Sequence, residues 1–436
     1  MNHSTPHAFP QTPLRSGLQK SIRHVILPGT EADLLRRELA RAFEAEGLRV
    51  TVAPPAELHG SSAAAPRALP GAPPPERPFD QPLAPSGGRR LEALLEDGPA
   101  LVFSVNFQGL NPLKPVLERV ERAGGLVAVW LVDNPWNILS GVRDPRWKGL
   151  PLFVTDEAFA TPLAAHGASM VRHLPLAASF ACFAPDERRD AAFPPPPDLA
   201  PFVFVGRSAF PGKEQFFAGQ NLPSGSLAQA LAMLEGGERP DLTWWEGRTG
   251  AAGQSLWPGK KARAAAFGAE EANLAWRAAC VRAAAESGFR LAGGTHAGID
   301  IFGDSGWRGL PDIAGKGAAR LFPPVDYYAR LPGIYRAARY SLCLTSLQLP
   351  AGLNQRHFDV WAAGGFALSD ATPGLSLFPD ELTRPVTFKR AGDIPAVAER
   401  LEARQDREAL GAAWRNCLMQ GHTYRHRVRT VLEALG

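Results

Sequence analysis

Short apolar segments alternate with segments of helical spacing along most of the chain. Five apolar segments in the first half have the length and composition of strands, and they cover residues 24–29, 48–52, 100–105, 126–132 and 152–154. Helical spacing is found between them, over residues 31–46 and 112–123. Several strand segments end in a polar residue, so the pattern predicts a parallel sheet with polar groups at its carboxyl edge.

A second series of the same kind begins at Phe202, after four consecutive prolines at residues 194–197. Residues 226–288 have mainly helical spacing, and helices bearing Arg and Leu are predicted from about residue 393. Further strands are predicted at 289–291, at 298–303, at 320–322 and on both sides of a helix within 340–370. The pattern therefore predicts an α/β chain with two domains in tandem, joined at the proline run.

The length of 436 residues exceeds a single ordinary core, which agrees with two domains. The predicted parts are a disordered tail at 1–20, an N-terminal domain at 21–190 with a Pro- and Ala-rich insertion at 54–90, a C-terminal domain at 200–415 and a C-terminal helix at 416–436. The first β-α-β unit lacks a G-x-G-x-x-G motif, so dinucleotide binding is not supported.

Charge and cysteine content exclude several classes of protein. The net charge is only +4 and the basic residues are scattered, so we expect no nucleic-acid partner. The four cysteines are far apart and form no metal-binding motif, which predicts no metal site, no disulfide framework and a reducing, cytoplasmic location. No run of about 18 apolar residues is present, so no membrane-spanning segment is expected.

The segment 340–370 carries the most specific chemistry. It predicts a buried strand, a polar turn, a helix that begins at Asn354, a double glycine and a second buried strand. A helix start has free N–H groups and a partial positive charge, and both suit a diphosphate. Arg356 and Asp359 share one face of this helix, where the first can pair with phosphate and the second can accept hydrogen bonds from sugar hydroxyls.

Several motifs in order resemble the CgeB-like (spore maturation protein type) glycosyltransferases over roughly residues 95–436. In the C-terminal half they are NQRHFD at 354–359, AGG at 363–365, LFP at 377–379, FVG at 204–206, LPGIYRAA at 331–338 and HTYRHR at 422–427. In the N-terminal half the similar motif is WLVDNP at 130–135. The resemblance implies the GT-B fold, in which two Rossmann-like parallel-sheet domains face a cleft.

The resemblance also implies a function for each domain. The N-terminal domain would hold an acceptor, and the C-terminal domain would hold a nucleotide-diphosphate sugar, without metal and with no cofactor other than this co-substrate. The expected donor-binding residues are Gly206, Arg207, Lys213, Thr345, Ser346, Asn354, Arg356 and Asp359. The sequence departs from related families in having Asp359 where they usually have Glu, and Ala351 where many have a second Glu.

Each of these residues has a structural alternative. Arg356 can pair with Asp359 instead of phosphate, and Thr345, Ser346 or Asn354 can cap the helix. The double glycine, Gly364 and Gly365, is more typical of a helix end than of a ligand contact.

Asp133 ends a strand of the N-terminal half and is the candidate catalytic base, with a turn residue as the alternative. His173 and His296 are rival bases. Trp136 and Trp307 are the aromatic residues expected near the acceptor or sugar, although buried aromatics are usually core residues.

Three functions are compatible with these features. The first is a glycosyltransferase that moves a sugar, as a hexosyl or related transferase, to an unidentified sugar, glycan or protein acceptor. The second is a sugar-nucleotide epimerase with the same donor pocket, which would act without an acceptor. The third is a non-catalytic sugar-nucleotide-binding protein, which the changes at Ala351 and Asp359 keep open.

Overall fold

The computed structural model describes residues 22–59, 91–251, 260–289, 297–309 and 318–436. The expected tail at 1–20, most of the expected insertion at 54–90, the strand segment 290–291 and the candidate base His296 lie outside the described residues. The part of the insertion at 55–59 forms a short helix instead of a loop. Among the residues that the structure describes, no helix combines the length and apolar character needed to cross a membrane.

The N-terminal domain contains a six-stranded parallel sheet. Its strands are β1 (His24–Pro28), β2 (Arg49–Ala53), β3 (Ala100–Val105), β4 (Leu126–Leu131), β5 (Pro151–Val154) and β6 (Met170–His173), in the order β2-β1-β3-β4-β5-β6. Its helices are α1 (Arg36–Glu44), α2 (Pro55–His59), α3 (Leu91–Leu95), α4 (Leu113–Arg122), α5 (Pro135–Leu139), α6 (Ala160–Ala165), α7 (Phe180–Phe183) and α8 (Glu187–Ala192).

The C-terminal domain contains a second six-stranded parallel sheet. Its strands are β7 (Phe202–Val205), β8 (Ile299–Phe302), β9 (Ala319–Phe322), β10 (Tyr340–Cys343), β11 (Ala367–Asp370) and β12 (Thr387–Phe388), in the order β12-β11-β10-β7-β8-β9. Its helices are α9 (Lys213–Phe216), α10 (Ser226–Gly236), α11 (Leu242–Arg248), α12 (Lys260–Glu286), α13 (Leu331–Ala337), α14 (Arg356–Ala362), α15 (Asp380–Thr383), α16 (Ile394–Glu402), α17 (Arg407–Gly421) and α18 (Tyr424–Leu435).

These strand orders confirm the predicted fold class, α/β with two Rossmann-like parallel-sheet domains. The second sheet has a doubly wound order, in which β8 and β9 are added on one side of β7 and β10 to β12 on the other side. The switch point of this order therefore lies between β7 and β10. Ligands of open α/β sheets bind outside the carboxyl ends of the strands at such a switch point. The carboxyl edges of the two sheets face each other across the domain boundary, as the hydrogen bonds described below show.

The local sequence explains why these elements form. All six residues of β3 are buried, because helices cover both faces of a parallel sheet and its strands are continuously apolar. Helix α4 buries Leu113, Val116, Leu117 and Val120, which recur at helical spacing on one face.

The structure differs from the predictions at the start of one helix and in one additional strand. Helix α1 begins at Arg36 instead of residue 31, because Leu35 has a left-handed backbone with φ of 71°. Strand β6 was not predicted, since it lies at the sheet edge and its residues are only partly buried or exposed. Gly364 has φ of 85° and follows Ala363, the last capping residue of α14, so it ends the helix, as the structural alternative predicts.

The last helix lies on the N-terminal domain. Glu46 accepts hydrogen bonds from Arg425 at 2.5 Å and from Arg429 at 2.9 Å, both on α18. Arg427 donates to the Pro175 carbonyl at 2.7 Å. The predicted helix at 416–436 is thus two helices, because α17 ends at Gly421 and α18 begins after it with its own capping interaction.

Candidate functional site

The switch point of the C-terminal sheet is spanned by the side chain of Arg356. Its Nη1 donates to the carbonyl of Val205, at the end of β7, over 2.8 Å, and its Nη2 donates to that of Leu344, after β10, over 3.3 Å. The guanidinium also lies 5.4 Å from the ring centroid of Phe204. Among the described residues, none accepts a hydrogen bond from its buried Nε. Arg356 therefore joins the two strands that flank the switch point and retains donor capacity there.

Asn354 caps the helix that follows. Its Oδ1 accepts from the backbone N–H of Arg356 at 3.2 Å, and its Nδ2 donates to the Leu344 carbonyl at 2.5 Å. Helix α14 has only seven residues. The geometry favours the capping alternative for Asn354, and donor binding by this residue stays a prediction.

Thr345 and Ser346 differ in their surroundings. Thr345 is fully buried, and both its N–H and its hydroxyl donate to Asp370, at 2.9 and 2.8 Å. Ser346 is partly exposed and accepts from the N–H of Gln348 at 3.3 Å. Of the two, only Ser346 presents a surface to solvent in this structure.

Asp359 is a buried member of an interdomain cluster. Its carboxylate accepts from the Tyr327 hydroxyl at 2.5 Å and from Gln355 Nε2 at 2.8 Å, and its side chain is 1% exposed. Burial raises the pKa of Asp359 well above its ordinary value. Gln355 in turn donates to the carbonyl of Ala177 and accepts from the hydroxyl of Tyr424. A direct sugar contact by Asp359 would require this cluster to rearrange, and it stays a prediction.

The glycine turn after β7 is tightly packed against Arg356. A Cβ added at Gly206 would lie 3.0 Å from Arg356 Nη1 and 3.1 Å from the Phe204 ring, so the close approach favours glycine. Arg207 is exposed. Lys213 forms an ion pair with Glu271 on α12. Of these two cations, Arg207 is the more accessible one.

Arg277 belongs to the same region, although the sequence did not suggest it. It lies on α12 and donates to the Ser208 carbonyl at 3.3 Å. Burial lowers its pKa, the carboxylate of Glu270, whose Oε1 lies 4.0 Å from Arg277 Nη1, opposes this shift, and the nearby positive charge of Arg356 lowers the pKa further. The Ala-rich sequence around Arg277 contains no recognisable motif. The fold alone brings this residue to the switch point. Glu270 already supplies one negative charge beside Arg277, and a bound anion would further stabilise the two guanidinium groups of Arg277 and Arg356.

Glu270 connects this region to the N-terminal domain. Its carboxylate accepts from the N–H of Phe210 at 2.7 Å and from Gln348 Nε2 at 2.9 Å. The other end of the Gln348 amide accepts from Asn137 Nδ2, on α5, at 2.6 Å. The chain of hydrogen bonds is buried, so the position of the glycine turn depends on the contact between the two domains.

Asp156, at the end of β5, makes another direct link between the domains. Its Oδ2 accepts from the N–H groups of Ala351 and Gly352, both at 2.8 Å. Burial raises the pKa of Asp156. The backbone of the 345–352 segment is thus held against the N-terminal domain by a carboxylate.

Asp133 follows β4 and has an exposed side chain. Its Oδ2 accepts from Asn106 Nδ2 at 2.7 Å. Burial by the surrounding protein raises the pKa of Asp133. The rival base His173 is also exposed and lies two strands away, where its Nε2 is 3.2 Å from the Thr155 carbonyl.

The two candidate tryptophans are core residues. Trp136 is 4% exposed and packs on His166 with 4.8 Å between ring centroids. Trp307 is 1% exposed, and its Nε1 donates to the Gly206 carbonyl at 3.0 Å. Neither ring has a free face for a sugar in this structure, so the predicted stacking receives no support here.

Comparison with known proteins gives one family match, in the C-terminal part of the chain. Residues 277–433 match a family model described as glycosyl transferase-like. The match covers less than half of the chain and lies within the region from α12 to α18. It does not distinguish the CgeB-like subtype, which stays a prediction. No curated protein matches the chain.

Solved structures similar to this chain have low sequence identity. Sucrose-phosphate synthase from Thermosynechococcus elongatus is 12% identical with a TM-score of 0.48, over 94% of this chain and 98% of that chain. Apo OtsA is 11% identical with a TM-score of 0.47, over 95% and 99%. Anabaena Alr3699/HepE in complex with UDP and glucose is 10% identical with a TM-score of 0.47, over 95% and 99%. Scores below 0.5 leave ligand and reaction undecided, and the fold class follows from the strand orders.

Proposed function

We propose that the protein is a glycosyltransferase that moves a sugar from a nucleoside diphosphate to an acceptor hydroxyl. The observation that carries this proposal is the pair Arg277 and Arg356 at the switch point between β7 and β10. The pair lies in the domain to which the glycosyl transferase-like family model matches, and a diphosphate is the anion that such a donor brings. Arg207 is the accessible cation on the neighbouring turn.

The reaction has one bond formed and one broken. The acceptor oxygen bonds to the anomeric carbon of the donor, and the bond from that carbon to the diphosphate oxygen breaks with its electron pair on the diphosphate. Arg277 and Arg356 stabilise the charge that develops on this leaving group. Asp133 takes the proton of the acceptor hydroxyl and later releases it to water.

This scheme places the acceptor beside the N-terminal sheet and the donor beside the C-terminal sheet. It uses no metal ion, so we expect the transfer rate to be unchanged by a chelator. Hexosyl transfer and a cytoplasmic location are further parts of the proposal, and the acceptor is a sugar, glycan or protein that presents a hydroxyl group.

A second candidate is a non-catalytic sugar-nucleotide-binding protein. The interdomain hydrogen bonds of Asp156 to Ala351 and Gly352 favour it, because they occupy backbone N–H groups of the 345–352 segment that faces the candidate site. Such a protein would bind a donor and release no nucleoside diphosphate, with or without an acceptor.

A thermal-shift screen tests the proposal directly. We expect UDP-, GDP- or dTDP-sugars to raise the melting temperature, and CMP-sugars, which carry one phosphate, to have little effect. Arg277→Ala should weaken the binding of the selected donor by about 10- to 100-fold in calorimetry. Arg400→Ala, an exposed arginine on α16, is the matched control and should bind as the wild type does. No shift with any nucleotide sugar would reject both candidates.

The product of the selected donor then separates the candidates. Release of nucleoside diphosphate that depends on an acceptor supports a transferase. Binding without turnover supports the non-catalytic protein, and isomerisation of the donor without an acceptor would indicate an epimerase.

A further inference from the structure

The backbone after β3 is strained next to Asp133. Asn106 has φ of 53° and Phe107 has φ of 59°, so two successive residues other than glycine are left-handed. Asn tolerates this region better than most residues, whereas a bulky residue such as Phe rarely adopts it. Strain of this kind persists only where the surrounding structure enforces it, and it clusters at functional sites. Phe107 is buried, which fixes the turn.

The side chain of Asn106 is held by a hydrogen bond at each end of its amide. Its Oδ1 accepts from the N–H of Val132 at 2.9 Å, which identifies the oxygen of the amide. The other end, Nδ2, therefore faces Asp133 and donates to its Oδ2 at 2.7 Å. The backbone N–H of Asn106 also donates to the Trp130 carbonyl at 2.9 Å. Two hydrogen bonds thus hold the side-chain amide, and a third holds the backbone of Asn106, between the ends of β3 and β4.

The hydrogen bond from Asn106 occupies only one of the two oxygens of the Asp133 carboxylate. Among the described residues, none donates a hydrogen bond to Asp133 Oδ1. We propose that Asn106 is a positioning residue, which holds Asp133 through Oδ2 so that Oδ1 faces the acceptor hydroxyl and takes its proton. This inference rests on the proposed function, and it adds the group that orients the base.

The electrostatics of the pair agree with this role. Burial raises the pKa of Asp133, and the Asn106 amide opposes that rise because it stabilises the ionised carboxylate. In the described part of the chain, no charged side chain makes a comparable contribution to this pKa. Loss of the amide should therefore move the titration of Asp133 to higher pH.

Two variants test the role of the amide while preserving the backbone. Asn106→Gly accepts the left-handed conformation but removes the amide, and Asn106→Asp keeps the shape but replaces the NH2 donor with an oxygen. The titration of Asp133 can be followed by carbon NMR of aspartate carboxylates without any substrate. The signal of Asp133 is identified by its absence in Asp133→Asn.

We expect the midpoint of Asp133 to rise by about one pH unit in Asn106→Gly and by more in Asn106→Asp, where two carboxylates face each other. With an active donor and acceptor, the acid limb of kcat/KM should move to higher pH by the same amount. A role limited to folding would change the melting temperature and leave the midpoint unchanged.

The outcomes separate this inference from the proposed function. An unchanged Asp133 midpoint in both variants overturns the positioning role, even if the protein transfers sugar. A raised midpoint in a protein that turns over no nucleotide sugar supports the positioning of Asp133 and rejects the transferase. If Asn106→Gly does not fold, Asn106→Asp gives the same test.

Discussion

The segment after β10 and the end of β4 use their polar residues in different ways. On the C-terminal edge, Thr345, Asn354 and Asp359 direct their polar atoms to other groups of the protein. On the N-terminal edge, Asp133 is exposed and one of its oxygens has no hydrogen-bond donor among the described residues. A polar residue at a strand end is thus either part of the scaffold or available to a ligand, and only its surroundings distinguish the two.

Asp133→Asn gives the largest expected effect on activity. The substitution removes the base but keeps an oxygen that can accept from Asn106, so we expect a 10²- to 10⁴-fold loss of transfer. The free energy of unfolding should change by less than about 0.5 kcal/mol. Rate measurements with the selected donor, together with urea unfolding, check both parts. A large loss of stability would instead place Asp133 in the scaffold and remove the contrast between the two edges.

Glu270→Leu should have the largest effect on stability. The substitution leaves the N–H of Phe210 and the Gln348 amide without their acceptor in a buried setting, so we expect a loss of about 3 kcal/mol. The adjacent Glu271→Leu is the control, because its pairing with Lys213 lies nearer the surface and should contribute at most about 1 kcal/mol. Equal effects in urea unfolding would show that the buried network is not needed.

Asp359 should make stability depend on pH. Because burial raises its pKa in the folded state, the folded protein binds more protons than the unfolded chain above pH about 4. Its contribution to stability is present at low pH and is lost as pH rises toward the folded pKa, by at most about 1.4 kcal/mol per pH unit. Asp359→Asn should flatten the decline in unfolding free energy as the pH rises above about 4. The exposed Glu408→Gln is the control, and identical slopes in all three proteins would contradict this assignment.

Glu46→Gln should have the smallest effect. Glu46 pairs with Arg425 and Arg429, whose side chains are about half exposed, so solvent screens the interaction. We expect a loss of at most about 1 kcal/mol, and this loss should decrease in high salt. A loss that is large and independent of salt would mean that α18 is held to the N-terminal domain mainly by this carboxylate.

Much of the fold could be predicted because strands that are buried on both faces are continuously apolar. β3, β4, β8 and β10 follow directly from their sequences. β6 and β12 could not be predicted in this way, since the first is an exposed edge strand and the second has only two residues. The start of α1 depends on the left-handed Leu35, which no helix propensity indicates.

The candidate site was less predictable than the fold. The helix motif includes Arg356, which lies at the switch point, but the burial of Asp359 depends on Tyr327, which lies 32 residues earlier in the sequence. Arg277 carries no motif and reaches the site only because α12 packs across the sheet end. Spacing along the chain identifies strand ends, whereas the choice between Asp133 and Asp156 as the open carboxylate depends on how the domains meet.

The placement of α18 has a mechanical consequence. The chain crosses between the domains at the proline run 194–197, and it returns between α17 and α18, where the backbone of Ala178 pairs with Thr423. Two short covalent connections therefore join the domains and restrict their relative motion. We expect any separation of the domains to be a rotation about a hinge axis through these two connections. In this rotation α18 would move together with the N-terminal domain.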